Sequence, residues 1–329
     1  MRGFPIRTKS IALLLVIVAG SAAYYYFVYR PAHRPPAEYA YVMPDTLEVL
    51  DAPAEVRMVM DSLRRGDRVE VIARRPNWVR VRAANRRTGW VDAKSLLDAK
   101  TYEDGQRLLQ ELGNLPPQAV GRTTGITNLR LEPSRDAPVL AQLPERQKAE
   151  VLGRRWVVRP SSPDQATPIE EAWYLIRADS YAGWLLGRFV ALDIPESISM
   201  YAQGTNLVAW LVLDTVDDRG QQVPQYLLAD RMGTQEVDFN HIRVLTWWAT
   251  RQRYATAYVE SRLRGYFPIR VVHLDGVPHF RLRLLDKSGR KVQKVYRLLG
   301  TITRPLGTVE GWESDAMPGG AVSPHKRRR

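Results

Sequence analysis

Residues 127–133 read Thr-Asn-Leu-Arg-Leu-Glu-Pro and begin a series of short segments from which the fold can be inferred. The turn Leu143-Pro-Glu-Arg146 follows, and then the aromatic segments Trp173-Tyr-Leu-Ile176 and Gly183-Trp-Leu185. Apolar residues alternate with polar ones in these segments, and turn-forming residues separate them, which is typical of short β-strands. The stretch therefore predicts a small β-barrel.

The same order of segments occurs once more, nearer the N-terminus. Its members are Leu47-Glu-Val-Leu-Asp-Ala-Pro53, Leu63-Arg-Arg-Gly66, Trp78-Val-Arg-Val81 and Gly89-Trp-Val91. Pro53 and Pro133 are 80 positions apart, as are Gly66 and Arg146, so the chain contains an internal duplication. The second copy has an insertion near Arg159 to Glu171, and the prolines in it predict a loop.

The order N-x-R-x-x-P, a turn, W-x-x-V and G-W-V resembles the bacterial Src-homology-3-like (SH3b) domain. The resemblance covers residues 38–98 and 119–193. The second copy keeps the fuller opening motif, whereas the first lacks its Asn and its Arg. The resemblance implies two modules that bind peptides or cell-wall material, or that only make protein contacts.

Aromatic residues are the candidate ligand-binding groups of both copies. The resemblance implies that the first tryptophan, Trp78 or Trp173, lines a peptide groove, while the second, Trp90 or Trp184, packs nearer the core. Tyr174 follows Trp173 and is expected on the opposite face of the strand. Plain core or edge packing is the alternative for all four tryptophans.

The chain is strongly basic, with 48 Lys and Arg against 35 Asp and Glu and a formal net charge of +13. Arginines are dense in the first copy, and a candidate electrostatic face is formed by Arg74, Arg75, Arg80 and Arg82. Anionic lipid headgroups and phosphate-bearing envelope polymers are candidate partners, and a solvated face without a partner is the alternative.

The N-terminal stretch Ile11–Tyr29 contains no charged residue and follows the basic residues Arg2, Arg7 and Lys9. At about 1.5 Å per residue a helix of this length nearly spans a hydrocarbon core of about 30 Å. Residues 1–30 are therefore predicted to be a single-pass transmembrane anchor, with a cleaved signal peptide as the alternative. Either interpretation places the rest of the chain outside the cytoplasm of a bacterial cell, which argues against a nucleic-acid partner.

Three further segments complete the predicted all-β fold class. Residues 99–118 are a helical linker, because leucines recur at helical spacing in Tyr102–Leu112. Residues 199–311 hold six or seven strand-like segments, which predict an antiparallel β domain, either a sandwich or a propeller-like sheet. This part resembles an uncharacterised C-terminal domain that follows paired SH3b-like modules in some bacterial envelope proteins, on the segments Asp238–Trp247 and Arg253–Tyr258. Residues 312–329 are predicted to be a disordered basic tail.

Catalytic motifs are missing from the sequence. The chain has no Cys, and it contains no G-x-S-x-G, Walker A or H-E-x-x-H motif. We therefore expect no enzyme activity, metal or cofactor. The predicted function is an envelope-anchored binding protein whose tandem modules hold a peptide, a protein or a cell-wall polymer, and the alternative is a cell-wall hydrolase with SH3b-like targeting modules. The sequence leaves the oligomeric state open.

Overall fold

The computed structural model describes residues 21, 24, 37–159, 169–233 and 237–318. The chain divides into two compact units, Met1–Leu96 and Leu97–Arg329. The described residues are mostly β-structure and form three antiparallel sheets of seven strands each. Two of these sheets correspond to the two copies of the sequence duplication.

The first sheet forms a small barrel in the order β3-β2-β6-β5-β4-β1-β7. Its core consists of the inward-facing valines and leucines, among them Val49, Val69, Val81 and Val91. The strands are β1 (Tyr39–Val42), β2 (Thr46–Leu50), β3 (Val59–Arg64), β4 (Arg68–Arg75), β5 (Trp78–Arg82), β6 (Thr88–Asp92) and β7 (Leu96–Asp98).

The second sheet has the order β10-β9-β13-β12-β11-β8-β14, which is the order of the first sheet with every number raised by seven. The duplication seen in the sequence is therefore also a duplication of topology. The strands are β8 (Ala119–Thr123), β9 (Thr127–Arg130), β10 (Val139–Leu143), β11 (Lys148–Arg159), β12 (Ile169–Ala178), β13 (Tyr181–Leu186) and β14 (Val190–Leu192).

The glycine of each G-W segment lies where two strands approach closely. A Cβ on Gly89 would be 2.7 Å from the carbonyl oxygen of Leu50, and one on Gly183 would be 2.7 Å from that of Arg130. Only glycine fits such an approach, which explains why this residue precedes the tryptophan in both copies.

The insertion of the second copy lengthens a hairpin. Strand β11 continues to Arg159 and β12 begins at Ile169, so Ile169–Glu171, at the end of the predicted loop, are strand residues. Residues 160–168 lie outside the described part. The corresponding hairpin of the first barrel is a tight turn, because Arg75 pairs directly with Trp78.

Helix α1 (Ala99–Leu112) packs on the outer face of the second barrel. The side chain of Asp98 caps its N-terminus by accepting a 2.9 Å hydrogen bond from the backbone N–H of Thr101. Leu108, Leu109 and Leu112 contact Leu152 and Ala182 of the sheet. The predicted linker is therefore a helix whose apolar side is covered by the barrel that follows it.

The C-terminal strands form one sheet in which every strand pairs with its neighbours in sequence. Strand β15 also contacts β19, so the sheet curls around a core that includes Phe239, Phe280 and Tyr296. Short helix α2 (Glu196–Ala202) covers the opposite face through Ile198. The strands are β15 (Leu207–Asp218), β16 (Gln221–Asp230), β17 (Phe239–Trp248), β18 (Arg253–Leu274), β19 (Val277–Leu285), β20 (Lys291–Leu299) and β21 (Ile302–Glu310).

The segment after β21 departs from the predicted disordered tail. Arg281 is buried, and its guanidinium donates hydrogen bonds of 2.9–3.1 Å to the carbonyl oxygens of Ser314, Asp315 and Ala316. Residues 312–318 are thus bound to the C-terminal sheet. Residues 319–329 lie outside the described part of the chain.

The predicted fold class includes a transmembrane helix, and this part of the prediction needs correction. Among the described residues, no helix combines the length and the apolar character that crossing a bilayer requires. The predicted anchor Ile11–Tyr29 lies outside the described residues, apart from Ser21 and Tyr24. The observed fold class is three β-sheets with short helices.

Candidate functional site

A groove of about 330 Å³ runs along the outer surface of the second barrel. It is bounded by strands β9, β10, β12 and β13 and by the 3-10 turn Gly187–Phe189. Its lining combines aromatic and polar side chains, namely Ile126, Thr127, Asn128, Arg130, Arg135, Gln142, Trp173, Leu186, Arg188 and Phe189.

Trp173 belongs to this lining and lies on the strand between two neighbours, β11 and β13. It pairs with Arg155 of β11 on one side and with Leu186 of β13 on the other. Only 2% of Trp173 is exposed, and its indole N–H is buried without a hydrogen-bond partner. A buried donor left unpaired costs about 1–3 kcal/mol, so this ring is held in place by packing and not by its N–H.

Two side-chain amides stand side by side in the groove. Asn128 of β9 and Gln142 of β10 are directly opposite each other in the strand register, so their side chains share one face. Within the described part of the chain, neither amide takes part in a hydrogen bond. Each amide offers one acceptor and two donors, which suits the backbone of an extended peptide.

Three arginines give the groove a positive rim. Arg130 donates a 2.6 Å hydrogen bond to the carbonyl oxygen of Ala137. Arg135 forms a two-pronged ion pair with Glu171, which raises the pKa of Arg135. The guanidinium of Arg188 lies 5.0 Å from the centre of the Phe189 ring and forms no ion pair with any described carboxylate. Arg188 is therefore a cation that an anionic ligand can pair with.

The other predicted site residues of the second barrel lie outside the groove. Tyr174 is buried in the barrel core with Ile176 and Leu185. Trp184 is buried on the outer face, where the guanidinium of Arg155 covers its ring at 5.0 Å. Neither residue lines the groove.

In the first barrel the predicted aromatic residues are arranged similarly but form a different surface. Arg75 lies 4.9 Å from the ring centre of Trp90, and Arg57 lies 5.4 Å from that of Trp78. The register places Glu48, Leu50 and Ser62 where the second barrel has Asn128, Arg130 and Gln142. The first barrel therefore lacks the amides and the arginine of the groove.

Three of the four arginines of the predicted electrostatic face contact neighbouring side chains. Arg74 pairs with Glu38, Arg82 pairs with Glu70 at 2.7 Å, and Arg75 is stacked on Trp90. Arg80 is exposed beside Arg82 on the outer side of β5. The four arginines therefore do not act as one set of free charges.

Gln142, Arg188 and Phe189 are groove residues that sequence reasoning missed. Gln142 enters the groove only because β10 pairs with β9, and that register cannot be read from the sequence. Arg188 and Phe189 follow the Gly183-Trp-Leu185 segment by a few residues, and the 3-10 turn there folds them back over the groove.

Comparison with protein families identifies the first barrel. Residues 45–97 match the model of the bacterial SH3 domain. These residues form a bacterial SH3 domain. The resemblance inferred from the sequence is thereby confirmed for the first copy. The matched range does not include the second copy, although its opening motif is the fuller one, and it does not include the C-terminal sheet.

Solved structures give weaker similarity. NlpC2 from Trichomonas vaginalis is 9% identical over 71% of this chain and 100% of its own, with a TM-score of 0.18. An NlpC/P60 family protein from Bacillus cereus ATCC 10987 is 10% identical over 68% of this chain and 94% of its own, with a TM-score of 0.21. These scores are too low to indicate a shared fold or function. No curated protein matches the chain.

Proposed function

We propose that this chain is a non-catalytic binding protein of the bacterial cell envelope that acts outside the cytoplasm. Its second barrel is a further SH3b-like module, and the groove at Trp173 takes an extended peptide or peptide-bearing cell-wall polymer with a free carboxylate. The bacterial SH3 domain at residues 45–97 supports a binding or targeting role. The shared strand order of the two barrels supports the assignment of the second.

The proposal rests on polar side chains that lie around the buried indole of Trp173 and that form no hydrogen bond or ion pair among the described residues. Asn128 and Gln142 supply amides to a peptide backbone, and Arg188 supplies a charge to a carboxylate. Hydrogen bonds that involve an ionised group contribute about 1.5–3 kcal/mol, roughly twice the contribution of neutral ones. Arg188 should therefore determine the preference for anionic ligands.

A titration of the full chain with a soluble cell-wall stem peptide tests this function. One peptide carries free carboxylates and a matched peptide has them amidated. Arg188→Gln should weaken binding of the free peptide about tenfold, which corresponds to about 1.4 kcal/mol. It should leave the weaker binding of the amidated peptide unchanged.

Arg251→Gln is the matched control. Arg251 also stacks on a neighbouring aromatic ring, at 4.4 Å from the centre of Trp248, but it lies on the C-terminal sheet and not in the groove. Binding to purified sacculi and to the peptide should be the same for this variant as for the parent. Equal losses in the two variants, or no loss in Arg188→Gln, would show that the groove is not the binding site.

A further inference from the structure

The two barrels differ in what covers their outer faces. In the second barrel, helix α1 lies over Leu140 and Leu152, which are 4% and 1% exposed. The positions that correspond to them in the first barrel hold Met60 and Ile72, which are 50% and 39% exposed. The first barrel therefore presents two large apolar side chains where the second has a helix.

The strand registers establish this correspondence. Leu140 is the extra residue of a β-bulge in the β9–β10 pair, and Met60 is the extra residue of a bulge in the β2–β3 pair. Leu152 and Ile72 are likewise the bulged residues of the β11–β12 and β4–β5 pairs. Bulges redirect a side chain, and both barrels use them at the same places.

A polar contact that holds the helix in the second barrel also has its counterpart in the first. Arg177 forms an ion pair with Glu150 and donates hydrogen bonds of 2.8 and 3.0 Å to the carbonyl oxygens of Leu112 and Gly113, at the C-terminal end of α1. Such a cation also interacts favourably with the helix dipole. The register equates this pair with Arg82 and Glu70.

Arg82 is thus positioned like Arg177. Its Nη1 donates to Glu70 at 2.7 Å, and no described backbone carbonyl occupies the place that the end of α1 takes beside Arg177. Met60, Ile72, Arg80 and Arg82 together form what we term the helix-docking face. Exposed Val56 and Met58 extend its apolar area along the loop that enters β3.

We propose that the helix-docking face binds an acidic amphipathic helix of a partner protein, in the way that the second barrel binds α1. The partner helix is expected to be acidic because of Arg80, which occupies the position at which Leu175 contacts α1 in the second barrel. Helix α1 itself has acidic residues in excess, with Glu103, Asp104 and Glu111 against Lys100 and Arg107. A partner helix that meets Arg80 gains from further acidic residues.

The partner helix also needs a small residue opposite Met60. In the second barrel Gly105 fills this role, because a Cβ there would be only 2.9 Å from Leu140 Cδ2. The proposed face lies on the first barrel and is separate from the groove at Trp173. If no helix binds to this face, the proposed binding of a ligand in the groove is unaffected.

The probe is a stapled helical peptide with the sequence of residues 98–115, in which Lys100→Glu and Arg107→Glu add acidity. A staple is needed because isolated helices of this length are marginal in water. Titrated into the full chain, this peptide should bind at least about threefold more tightly than the unmodified sequence. Added salt should reduce that difference, and a scrambled peptide of equal composition should not bind.

Variants of the full chain locate the site. The pair Met60→Asp and Ile72→Asp should weaken binding at least about tenfold, and Arg82→Gln about threefold or more. Ile302→Asp, at an apolar position of the C-terminal sheet that is 54% exposed, is the matched control and should keep full affinity. Near-ultraviolet circular dichroism checks that each variant is folded. If the double variant does not fold, Arg82→Gln alone tests the location of the site.

A photo-crosslinking amino acid at position 60 of the full chain identifies the occupant. Crosslinks to the acidic peptide that unlabelled peptide competes away support the proposal. Crosslinks within the chain to residues 1–36, or between two copies of the chain, would overturn it by naming a different occupant. Binding that is unchanged in the Met60 and Ile72 variants would also overturn it.

Discussion

The guanidinium of Arg155 lies 5.0 Å from the centre of the Trp184 ring, and the first barrel repeats this contact with Arg75 at 4.9 Å from Trp90. In both barrels this arginine pairs across its hairpin with the first tryptophan, Arg155 with Trp173 and Arg75 with Trp78. The hairpin of the first barrel ends at this pair, whereas that of the second continues beyond it. The contact holds the second tryptophan against the outer face of the sheet. It also fixes the position of the Arg75 guanidinium, which keeps its positive charge.

A double-mutant cycle of Arg155→Ala and Trp184→Leu should therefore show coupling. The expected coupling energy is about 0.5–1 kcal/mol, since the arginine is exposed and the ring is partly covered. Urea unfolding of the full chain, followed by a signal from the second unit, provides the measurement. The cycle Arg75→Ala with Trp90→Leu should give a similar value for the first unit. Additive effects in both cycles would contradict a shared cation–π contact.

Trp173 should prove to be a structural residue as well as a groove residue. Because it is 2% exposed, Trp173→Ala removes a buried ring and should lower the free energy of unfolding by about 3–5 kcal/mol. Trp173→Phe keeps an aromatic ring at this position, removes the unpaired N–H and should cost much less. A loss of peptide binding in folded Trp173→Phe would then show that the groove depends on the shape of the indole. Trp210→Phe is the control, since it removes another buried unpaired indole N–H that does not line the groove.

The sequence predicts the strands and the duplication because local patterns determine them. The Gly-Trp pairs at Gly89 and Gly183 and the prolines at 53 and 133 recur in the same order in both copies, so the duplication can be recognised without a structure. The β-bulges at Met60 and Ile72 cannot, because they depend on the register between strands. The helix-docking face is invisible in the sequence for that reason.

The sequence predicts only part of the candidate site, because the groove depends on the register between several strands. Trp173 follows from the W-x-x-V motif, whereas its neighbours Gln142 and Arg188 come from other strands and turns. Arg80 and Arg82 alternate on β5, but the carboxylate partners of Arg74 and Arg82 are brought to them only by folding. Composition therefore overstated the free positive charge of this surface.

Gln118 should be essential to the second unit because it joins the second barrel to the C-terminal sheet. Its side chain is fully buried, accepts a 2.6 Å hydrogen bond from the N–H of Ile269 and donates a 3.1 Å hydrogen bond to the carbonyl oxygen of Ile269. Gln118→Ala leaves both backbone groups unpaired and should cost about 2–4 kcal/mol. The exposed Gln110→Ala is the control. Thermal melts that differ little between the two variants would show that water replaces the lost bonds.

Asp238 should give the stability of the second unit a distinctive pH dependence. Burial raises the pKa of Asp238 from 3.8 to about 6, although its carboxylate accepts a 2.8 Å hydrogen bond from the N–H of Phe267 and lies near Arg154 and Arg231. The folded state therefore holds the proton more tightly than the unfolded state. The stability that this group contributes is fully present below about pH 4 and is lost as the pH rises through about 6, by at most about 3 kcal/mol.

The variant Asp238→Asn should remove this pH dependence while keeping an oxygen that can accept the hydrogen bond from Phe267. Urea unfolding at a series of pH values between 4 and 7 measures the free energy of unfolding of the parent and the variant. The parent should lose stability relative to the variant as the pH rises, since the buried carboxyl must ionise in the parent only. Asp136→Asn, at an exposed position, controls for the loss of one negative charge. Parallel pH profiles for the parent and Asp238→Asn would show that the buried carboxyl does not titrate in this range.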